Sequence, residues 1–213
     1  MTNVLVLFAL EREAAPFRRK ARELPAVRIA VTGIGGAAAG RTVTRELAAA
    51  KPELVVMAGF CGALRDGLAV GEVVIPVEVV DDAGNRWACA GGDEARGRLL
   101  TTTELIAGPD DKRELGRKHT ADIVDMESAA VAAACLAASL PFLGVRVVSD
   151  TVDTALAPEL VRLFSGGRLS VWKTLGVLLR KPSLLGEFRR LDRGTRLAAR
   201  NLAETLVKVV SAV

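Results

Sequence analysis

Short apolar runs rich in β-branched residues alternate along this chain with longer alanine-rich stretches. A strand that is apolar on both faces must be covered on both faces, and helices between successive strands supply that cover. The alternation therefore predicts an α/β fold with a central mixed β-sheet flanked by helices. The predicted strands are 4–9, 27–32, 54–58, 72–80 and 142–148, and the predicted helices are 11–22, 36–50, 110–118 and 126–138.

The chain of 213 residues contains no internal repeat and no low-complexity linker, so we expect a single domain spanning 1–213. Half of its residues are hydrophobic and a quarter are charged, which excludes a disordered protein. Residues 128–145 carry no charge, but alanines dominate them and Pro141 interrupts them. We therefore expect a buried helix and a buried strand there, and no membrane span.

Cysteines and the N-terminus indicate where the protein resides. Three cysteines are too few for a disulfide framework in a chain of this length, which favours a reducing, cytoplasmic location. The first residues, MTNVLVLFALERE, lack a basic leader and a cleavage site, so we expect a strand and no signal peptide.

Basic residues are concentrated near the C-terminus. Residues 160–200 contain ten Lys or Arg and two Asp or Glu, a local charge of +8 in a chain whose net charge is +4. We expect 160–213 to be a basic helical part of the domain, with an amphipathic terminal helix and an earlier element at 169–185. A solvated helical face is one explanation for this charge, and docking on an anionic membrane is the alternative. Nucleic-acid binding is disfavoured, because aromatic residues are scarce and the sequence contains no recognised nucleic-acid-binding module.

Polar side chains follow several predicted strands, at the sheet edge where α/β proteins bind ligands. They are Glu11 and Glu13 after the first strand, the glycine turn 33–36, an expected tight turn at 59–62 after the third strand, and Ser149 with Asp150 after the last strand; Glu127 opens the alanine-rich helix. Three carboxylates, those of Glu13, Glu127 and Asp150, are therefore expected to converge on one crevice.

Each of these carboxylates also has a purely structural explanation. Glu13 would favour the positive end of its helix. Asp150 could cap a helix or form a turn. Glu127 precedes a helix so apolar that its carboxylate, if buried, needs a hydrogen-bond partner.

The glycine turn satisfies the loose dinucleotide pattern G-x-G-x-x-[GA] through Gly33, Gly35 and Ala38. The acidic residue expected at the end of the next strand is missing, because Glu53 precedes that strand. A nicotinamide cofactor is therefore disfavoured, while backbone N–H groups of the turn can approach another ligand or an anion. A single histidine, His119, excludes a histidine-rich metal site, and we expect no metal.

Five segments together resemble the nucleoside phosphorylase superfamily, particularly its methylthioadenosine/S-adenosylhomocysteine nucleosidase branch. They are FALERE, VTGIGGAAAG, AGFCGAL followed by VGEVVIP, VDMESAAVAAAC and VRVVSDTVD, which occur in family order over roughly residues 3–155. The stretch LLRKPSLLGEFRRL in the tail is similar to hopanoid-associated phosphorylases. The resemblance implies cleavage of the N-ribosidic bond of an adenine-type nucleoside by a homo-oligomer without a cofactor.

The resemblance also implies a role for each matching residue. Asp150 corresponds to the acid that protonates purine N7, and Ser149 to the serine that positions it. Glu127 corresponds to the glutamate that binds ribosyl hydroxyls, and Met126 to the methionine packed against the sugar. Glu13 corresponds to the base that activates water, with Glu11 as the alternative, and Leu105 and Ile106 to the lining of the base pocket.

The implied acid must carry a proton at neutral pH, and burial in an apolar setting would favour that neutral form of Asp150. Carboxylates near the ribosyl ring can stabilise the positive charge that develops on it, as in glycoside hydrolysis. These requirements explain why an enzyme of this kind needs Glu13, Glu127 and Asp150 together, whereas adenine binding alone does not.

Several positions depart from the pattern of the nucleosidase branch. Phe60 stands where that branch has serine, and Leu105 replaces a phenylalanine that stacks on the base. The Gly-Asp-Pro phosphate loop of larger phosphorylases is absent after the first strand, although Arg12, Arg41 or Arg65 could bind phosphate as a co-substrate. Water and phosphate therefore both stay open as acceptors. A phosphorylase acting on adenosylhopane and a non-catalytic nucleoside-binding protein are the alternative functions.

Overall fold

The computed structural model describes residues 3–24, 26–155 and 184–212, with the side chains of the last helix from residue 194 onward. The strands are β1 (Val4–Phe8), β2 (Val27–Val31), β3 (Leu54–Ala63), β4 (Val73–Val74), β5 (Glu78–Asp81), β6 (Arg86–Ala88), β7 (Arg98–Thr101), β8 (Ile123–Asp125) and β9 (Phe142–Asp150). The helices are α1 (Glu11–Lys20), α2 (Gly36–Ala49), α3 (Pro109–His119), α4 (Ser128–Ala137) and α5 (Leu184–Ser211). Short 3₁₀ turns cover Ala21–Glu23 and Gly92–Glu94.

The strands form one mixed sheet in the order β2-β1-β3-β8-β7-β5-β6, and β9 pairs with both β3 and β4. β1 runs parallel to β2 and to β3, and β3 runs parallel to β9. β8 is antiparallel to β3 but parallel to β7. The predicted α/β class with a central mixed sheet is therefore confirmed.

Both faces of the sheet are buried beneath helices. Leu5 and Leu7 of β1 belong to the core that also contains α2 and α4, whereas Val4, Val6 and Phe8 belong to the core shared with α1 and α5. Successive side chains of a strand point to opposite faces, so a strand covered on both sides must be apolar throughout. This arrangement explains the unbroken apolar runs in the sequence.

The third strand is longer than the sequence predicts. A tight turn was expected at 59–62, but β3 continues to Ala63 and pairs with β9 as far as Asp150, with a register shift between Cys61 and Gly62. The prediction was wrong because Gly59 makes room for a neighbouring side chain within the strand and does not form a turn. A Cβ atom at Gly59 would lie 2.8 Å from Nη1 of Arg146, and the strand can pass this point only without a side chain.

The predicted strand 72–80 is also wrong, because it is divided into β4 and β5. β4 pairs with β9, whereas β5 pairs with β6 and β7. Pro76 lies between the two and has no N–H to donate to a ladder. Strands β6, β7 and β8 were not predicted, since runs of three or four residues are too short to show a clear period.

The uncharged segment 128–145 forms α4 and the start of β9, as expected. Across the described ranges, no helix has both the length and the apolar character needed to cross a membrane. The amphipathic terminal helix is confirmed by α5, which packs Leu202 and Leu206 into the core. The element expected at 169–185 falls almost entirely within 156–183, outside the described residues.

Gly116 permits α3 to lie against the backbone that follows β3. A Cβ atom at this position would come within 2.6 Å of the carbonyl oxygen of Leu64. We expect Gly116→Ala to lower the free energy of unfolding by about 1–3 kcal/mol through overpacking, measured by urea denaturation.

Gly40→Ala is the matched control, because Gly40 also lies within a helix but its Cβ would meet only Ala130 at 4.0 Å. Alanine has the higher helix propensity, so this variant should be as stable as the native protein or slightly more stable. Equal stability of the two variants would contradict the packing argument.

Candidate active site

Glu13 lies in the first turn of α1 with its side chain buried beneath β3. Its Oε2 atom accepts the backbone N–H of Leu10 at 2.8 Å, and Oε1 accepts the backbone N–H of Phe60 at 2.9 Å. Burial raises the pKa of Glu13 above its ordinary value, although both hydrogen bonds oppose that change. Glu11, the alternative, is exposed and pairs with Arg18, so Glu13 is the carboxylate directed into the protein.

Glu127 immediately precedes α4 and is 5% exposed. Its Oε1 atom accepts the backbone N–H of Gly35 at 2.7 Å. Gly33 and Gly35 have φ values of +85° and +89°, which glycine adopts without strain. The glycine turn was expected to offer N–H groups to a ligand, but the N–H of Gly35 binds the protein's own carboxylate.

The surroundings of Glu127 raise the pKa of its carboxyl group. Burial raises its pKa to about 7, the negative charge of Asp125 adds to this effect, and Glu13 contributes in the same direction. Arg146 and the Gly35 hydrogen bond oppose these contributions. Glu127 therefore changes its protonation state near pH 7.

A fully buried arginine lies beneath these carboxylates. Arg146 of β9 forms an ion pair with Asp125 of β8 and donates Nη2–H to the Ser128 hydroxyl at 2.7 Å. Its Nε and Nη1 atoms have no partner within the described part of the chain. Nη1 and the Glu13 carboxylate both lie against Gly59. A buried N–H without a partner is costly, so this group is suited to binding a polar atom of a ligand.

Sequence reasoning missed Arg146, although a signal was present. Its charge interrupts the apolar run that predicts β9, and a charged residue in a strand buried on both faces needs a partner. The partner, Asp125, also accepts the hydroxyl of Thr101 at 2.7 Å and the N–H of Ser128 at 3.0 Å. Asp125 therefore fixes the start of α4 as well as the arginine.

Asp150 ends β9 with 14% of its side chain exposed. Its Oδ1 atom accepts the Ser149 hydroxyl at 2.7 Å, and Oδ2 lies 2.6 Å from Nζ of Lys112. An apolar environment that keeps this acid protonated was expected from the sequence. The structure instead places the buried ammonium group of Lys112 and the Ser149 hydroxyl beside it.

The residues expected to line the base pocket do share a cavity with Asp150. Its lining consists of Gly62, Thr102, Glu104, Leu105, Ile106, Lys112, Val124, Asp125, Met126 and Asp150. Leu105, Ile106 and Met126 are half-buried there, and the cavity has a volume of about 40 Å³. The predicted acid and the predicted base pocket therefore occur together.

Strand β3 joins the two halves of the candidate site. Glu13 lies 3.1 Å from the Cβ position of Gly59, and Asp150 lies 3.1 Å from that of Gly62. Three residues of extended chain span roughly 10 Å, which is comparable to the length of a nucleoside. The structure thus brings Glu13 and Asp150 to the same strand segment, and the negative charge of Glu13 contributes to the raised pKa of Glu127.

Phe60 borders a second cavity of about 520 Å³ between α1 and α5. The guanidinium of Arg12 lies 5.5 Å from the centre of the Phe60 ring. The cationic residues of this lining are Arg12, Arg19, Lys20, Arg196 and Arg200, and its acidic residue is Glu204, which pairs with Arg200. We call this space the basic cavity.

The three arginines considered as phosphate ligands occupy different places. Arg12 lines the basic cavity beside Phe60. Arg65 forms a surface ion pair with Asp122, and Arg41 is exposed on α2. Arg12 is therefore the member of this set that lies next to the candidate site.

Comparison with known proteins bears on the same residues. The sequence model of the phosphorylase superfamily matches residues 23–95 and 88–166, which contain Phe60, Glu127 and Asp150. The chain belongs to the phosphorylase superfamily.

Within this superfamily, the sequence is similar to 5′-methylthioadenosine/S-adenosylhomocysteine nucleosidases. It is 31% identical over 153 residues to that of Actinobacillus succinogenes and 27% identical over 154 residues to that of Haemophilus ducreyi. Each match covers 57% of this chain and 66% of the relative. The chain thus spans just under two thirds of the length of these curated relatives.

Solved structures share the fold of this superfamily member. A nucleosidase variant of Helicobacter pylori with 5′-methylthioadenosine in its active site has a TM-score of 0.76 and 14% identity, covering 100% of both chains. Futalosine hydrolase of the same organism has a TM-score of 0.73 and 15% identity, covering 99% of this chain and 97% of that chain. These similarities confirm the fold predicted from the sequence.

The raised pKa of Glu127 makes the stability of the protein depend on pH. A folded-state pKa of about 7 against an ordinary value of 4.5 means that the folded protein retains this proton more tightly. The contribution of Glu127 to the free energy of unfolding is therefore greatest below about pH 4.5, and it is lost as the pH rises towards 7. At about 1.4 kcal/mol per pKa unit, the loss is on the order of 3–4 kcal/mol.

We expect Glu127→Gln to remove this dependence, because glutamine keeps an acceptor for Gly35 and cannot ionise. The free energy of unfolding, measured by urea denaturation, should decrease less between pH 5 and pH 8 in this variant than in the native protein. Glu11→Gln, at an exposed position, should leave the decrease unchanged. An unaltered decrease in Glu127→Gln would contradict the burial argument.

Proposed function

We propose that this protein cleaves the N-ribosidic bond of an adenine-type purine nucleoside and transfers the ribosyl group to water. The observation that carries the proposal is the placement of Glu13 and Asp150 against Gly59 and Gly62, at opposite ends of one short strand segment. One carboxylate can then act on the acceptor and the other on the departing base. The similarity to named nucleosidases supports the same reaction.

On the base side, cleavage of the C1′–N9 bond leaves negative charge on the purine. Asp150 provides a proton to N7, which converts the base into a neutral leaving group. Ser149 holds the other carboxylate oxygen through its hydroxyl group at 2.7 Å. Leu105 and Ile106 supply apolar surface for the purine ring in the same cavity.

On the ribosyl side, the sugar becomes positively charged as the base departs. In its ionised form Glu127 accepts hydrogen bonds from the ribosyl hydroxyls and stabilises this charge. Its hydrogen bond to Gly35 fixes the orientation of the carboxylate. Met126 is the adjacent residue and provides a half-buried surface for the sugar ring.

On the acceptor side, Glu13 removes a proton from water. Two backbone N–H groups hold its carboxylate in position, and its raised pKa makes it a better base near neutral pH. The Nη1 atom of Arg146 faces the same side of Gly59 and can donate to the attacking oxygen.

Asp150→Asn tests the role of the acid. We expect the variant to fold normally and to lose about 10²–10⁴-fold in kcat, because amides do not protonate N7. This loss corresponds to about 3–5 kcal/mol of barrier. The measurement is chromatographic detection of adenine released from several adenosine derivatives.

Asp153→Asn is the control, since Asp153 is exposed nearby and pairs with Arg113. It should release adenine at the native rate. Full activity of a folded Asp150→Asn variant would refute the assigned role. Native protein that binds these nucleosides without releasing adenine would instead support the non-catalytic alternative.

A second candidate reaction uses phosphate as the acceptor, and the basic cavity favours it. Five cationic side chains line this space beside Phe60, whose N–H binds Glu13. Its volume of about 520 Å³ falls within the range of small-molecule sites. Phosphate in this cavity would approach the sugar from the side on which Glu13 lies.

Phosphate dependence separates the two reactions. In phosphorolysis, adenine release should require phosphate, and Arg19→Gln combined with Lys20→Gln should raise KM for phosphate by about tenfold, since each lost charge weakens anion binding. Arg41→Gln combined with Lys51→Gln removes two exposed charges elsewhere and should have no effect. Adenine release that does not depend on phosphate selects water as the acceptor.

Three further predictions concern the substrate, the assembly and the location of the protein. We retain adenosylhopane as a candidate substrate, a homo-oligomeric assembly, and a cytoplasmic location with peripheral membrane contact through 160–200. The resemblance of the tail supports adenosylhopane, and the family resemblance supports the homo-oligomer. The small number of cysteines supports the cytoplasmic location, and the local charge of +8 supports membrane contact. Most of that tail lies within 156–183, outside the described residues.

A further inference from the structure

Lys112 is buried although it belongs to a helix whose other residues are mostly polar. It lies in the first half of α3, and 1% of its side chain is exposed. Its Nζ atom is 2.6 Å from Oδ2 of Asp150 and 3.0 Å from the carbonyl oxygens of both Thr151 and Thr154. An ammonium group has three N–H donors, so every donor of Lys112 has an acceptor.

A structural role alone does not explain this arrangement well. Lys112 does tie α3 to the turn that follows β9, but two carbonyl groups can be satisfied by a neutral donor. Removing an ammonium group from water costs several kcal/mol unless its partner is charged and well placed. The partner is Asp150, the residue proposed to protonate the base.

The surroundings also make Lys112 the nearest source of a proton. The other charged residues that line the same cavity are Glu104 and Asp125, and both are acidic. Asp125 is already paired with Arg146. Within the described lining, Lys112 is thus the one cationic residue of the cavity.

We infer that Lys112 is a positioning residue that holds Asp150 in place and supplies the proton that Asp150 passes to the purine. This inference rests on the proposed function. It gives Asp150 a source, 2.6 Å from Oδ2, for the proton that the departing base takes.

The proposed transfer conserves protons and charge. When the base excludes water from the cavity, a proton moves from Nζ of Lys112 to Oδ2 of Asp150, because both ions are less favourable there than the neutral pair. Neutral Lys112 keeps two N–H groups for the carbonyls of Thr151 and Thr154. Its lone pair then faces the acid.

Bond cleavage completes the sequence. The electron pair of the C1′–N9 bond moves to the purine, and N7 takes the proton from Asp150, which returns to the carboxylate. Water adds to C1′ of the ribosyl cation and loses a proton to Glu13. Solvent then returns a proton to Lys112 and removes one from Glu13 after the products leave.

Lys112→Met tests the inference, with Lys118→Met as the matched control because Lys118 is exposed on the same helix. We expect Lys112→Met to reduce kcat for adenine release by about 10²-fold, while KM changes less than about threefold. Lys118→Met should match the native protein. Native kcat in a folded Lys112→Met variant would overturn the inference.

If Lys112→Met folds poorly, Lys112→Gln replaces it. A double-mutant cycle with Asp150 then tests the same inference. In an Asp150→Asn background, loss of the lysine should reduce kcat no further, since Lys112 acts through Asp150. Independent losses that multiply would assign Lys112 a structural role and overturn the inference.

The leaving group provides a further readout. The nitrophenolate of 4-nitrophenyl β-D-ribofuranoside departs as a stable anion and needs no proton from Asp150. Lys112→Met should slow adenine release but preserve nitrophenol release, and an equal loss of both would refute proton supply. Native protein that releases no adenine would refute the proposed function, whereas native activity that is unchanged in Lys112→Met refutes this inference alone.

Discussion

The extended passage of β3 through 59–62 is the constraint on which the rest of the site depends. If the chain turned at Gly59, as the sequence suggested, β9 would lose its partner before reaching Asp150. Because the strand continues, Glu13 and Asp150 lie against the same four residues from opposite ends. The absence of a side chain at Gly59 also gives Arg146 room beneath the strand.

Buried charge is the second organising feature of the site. Arg146 lies within the sheet and interacts with Asp125 directly and with Glu13 and Glu127 through its field. One cation shared among three carboxylates cannot neutralise all of them, and burial raises the pKa of both glutamates. The protein therefore contains two buried glutamates with a raised pKa, and the proposed base catalysis by Glu13 uses this property.

The fold class could be predicted from the sequence because apolar periodicity is a local signal. The roles of Asp150, Leu105 and Ile106 follow from the family resemblance and stay predictions. Lys112 could not be found in this way. It is embedded in PDDKRELGRKH, where it looks as solvent-exposed as Lys118. Its burial depends on Gly116 letting α3 approach β3 and on the turn after β9, which are contacts between distant parts of the chain. The glycines at 59–62 misled for a related reason, since glycine serves equally in turns and in crowded strands.

Helix α5 contributes residues to the basic cavity, but none of its described side chains lines the cavity that contains Asp150. This helix forms one wall of the basic cavity, whereas the lining of the proposed base pocket comes from β3, β8, β9, α3 and the loop before it. Under the proposed function, substitutions on the cavity-lining face of α5 can alter what enters beside Phe60 without changing any residue of the proposed base pocket. Acceptor and base can then be varied independently of each other on this scaffold.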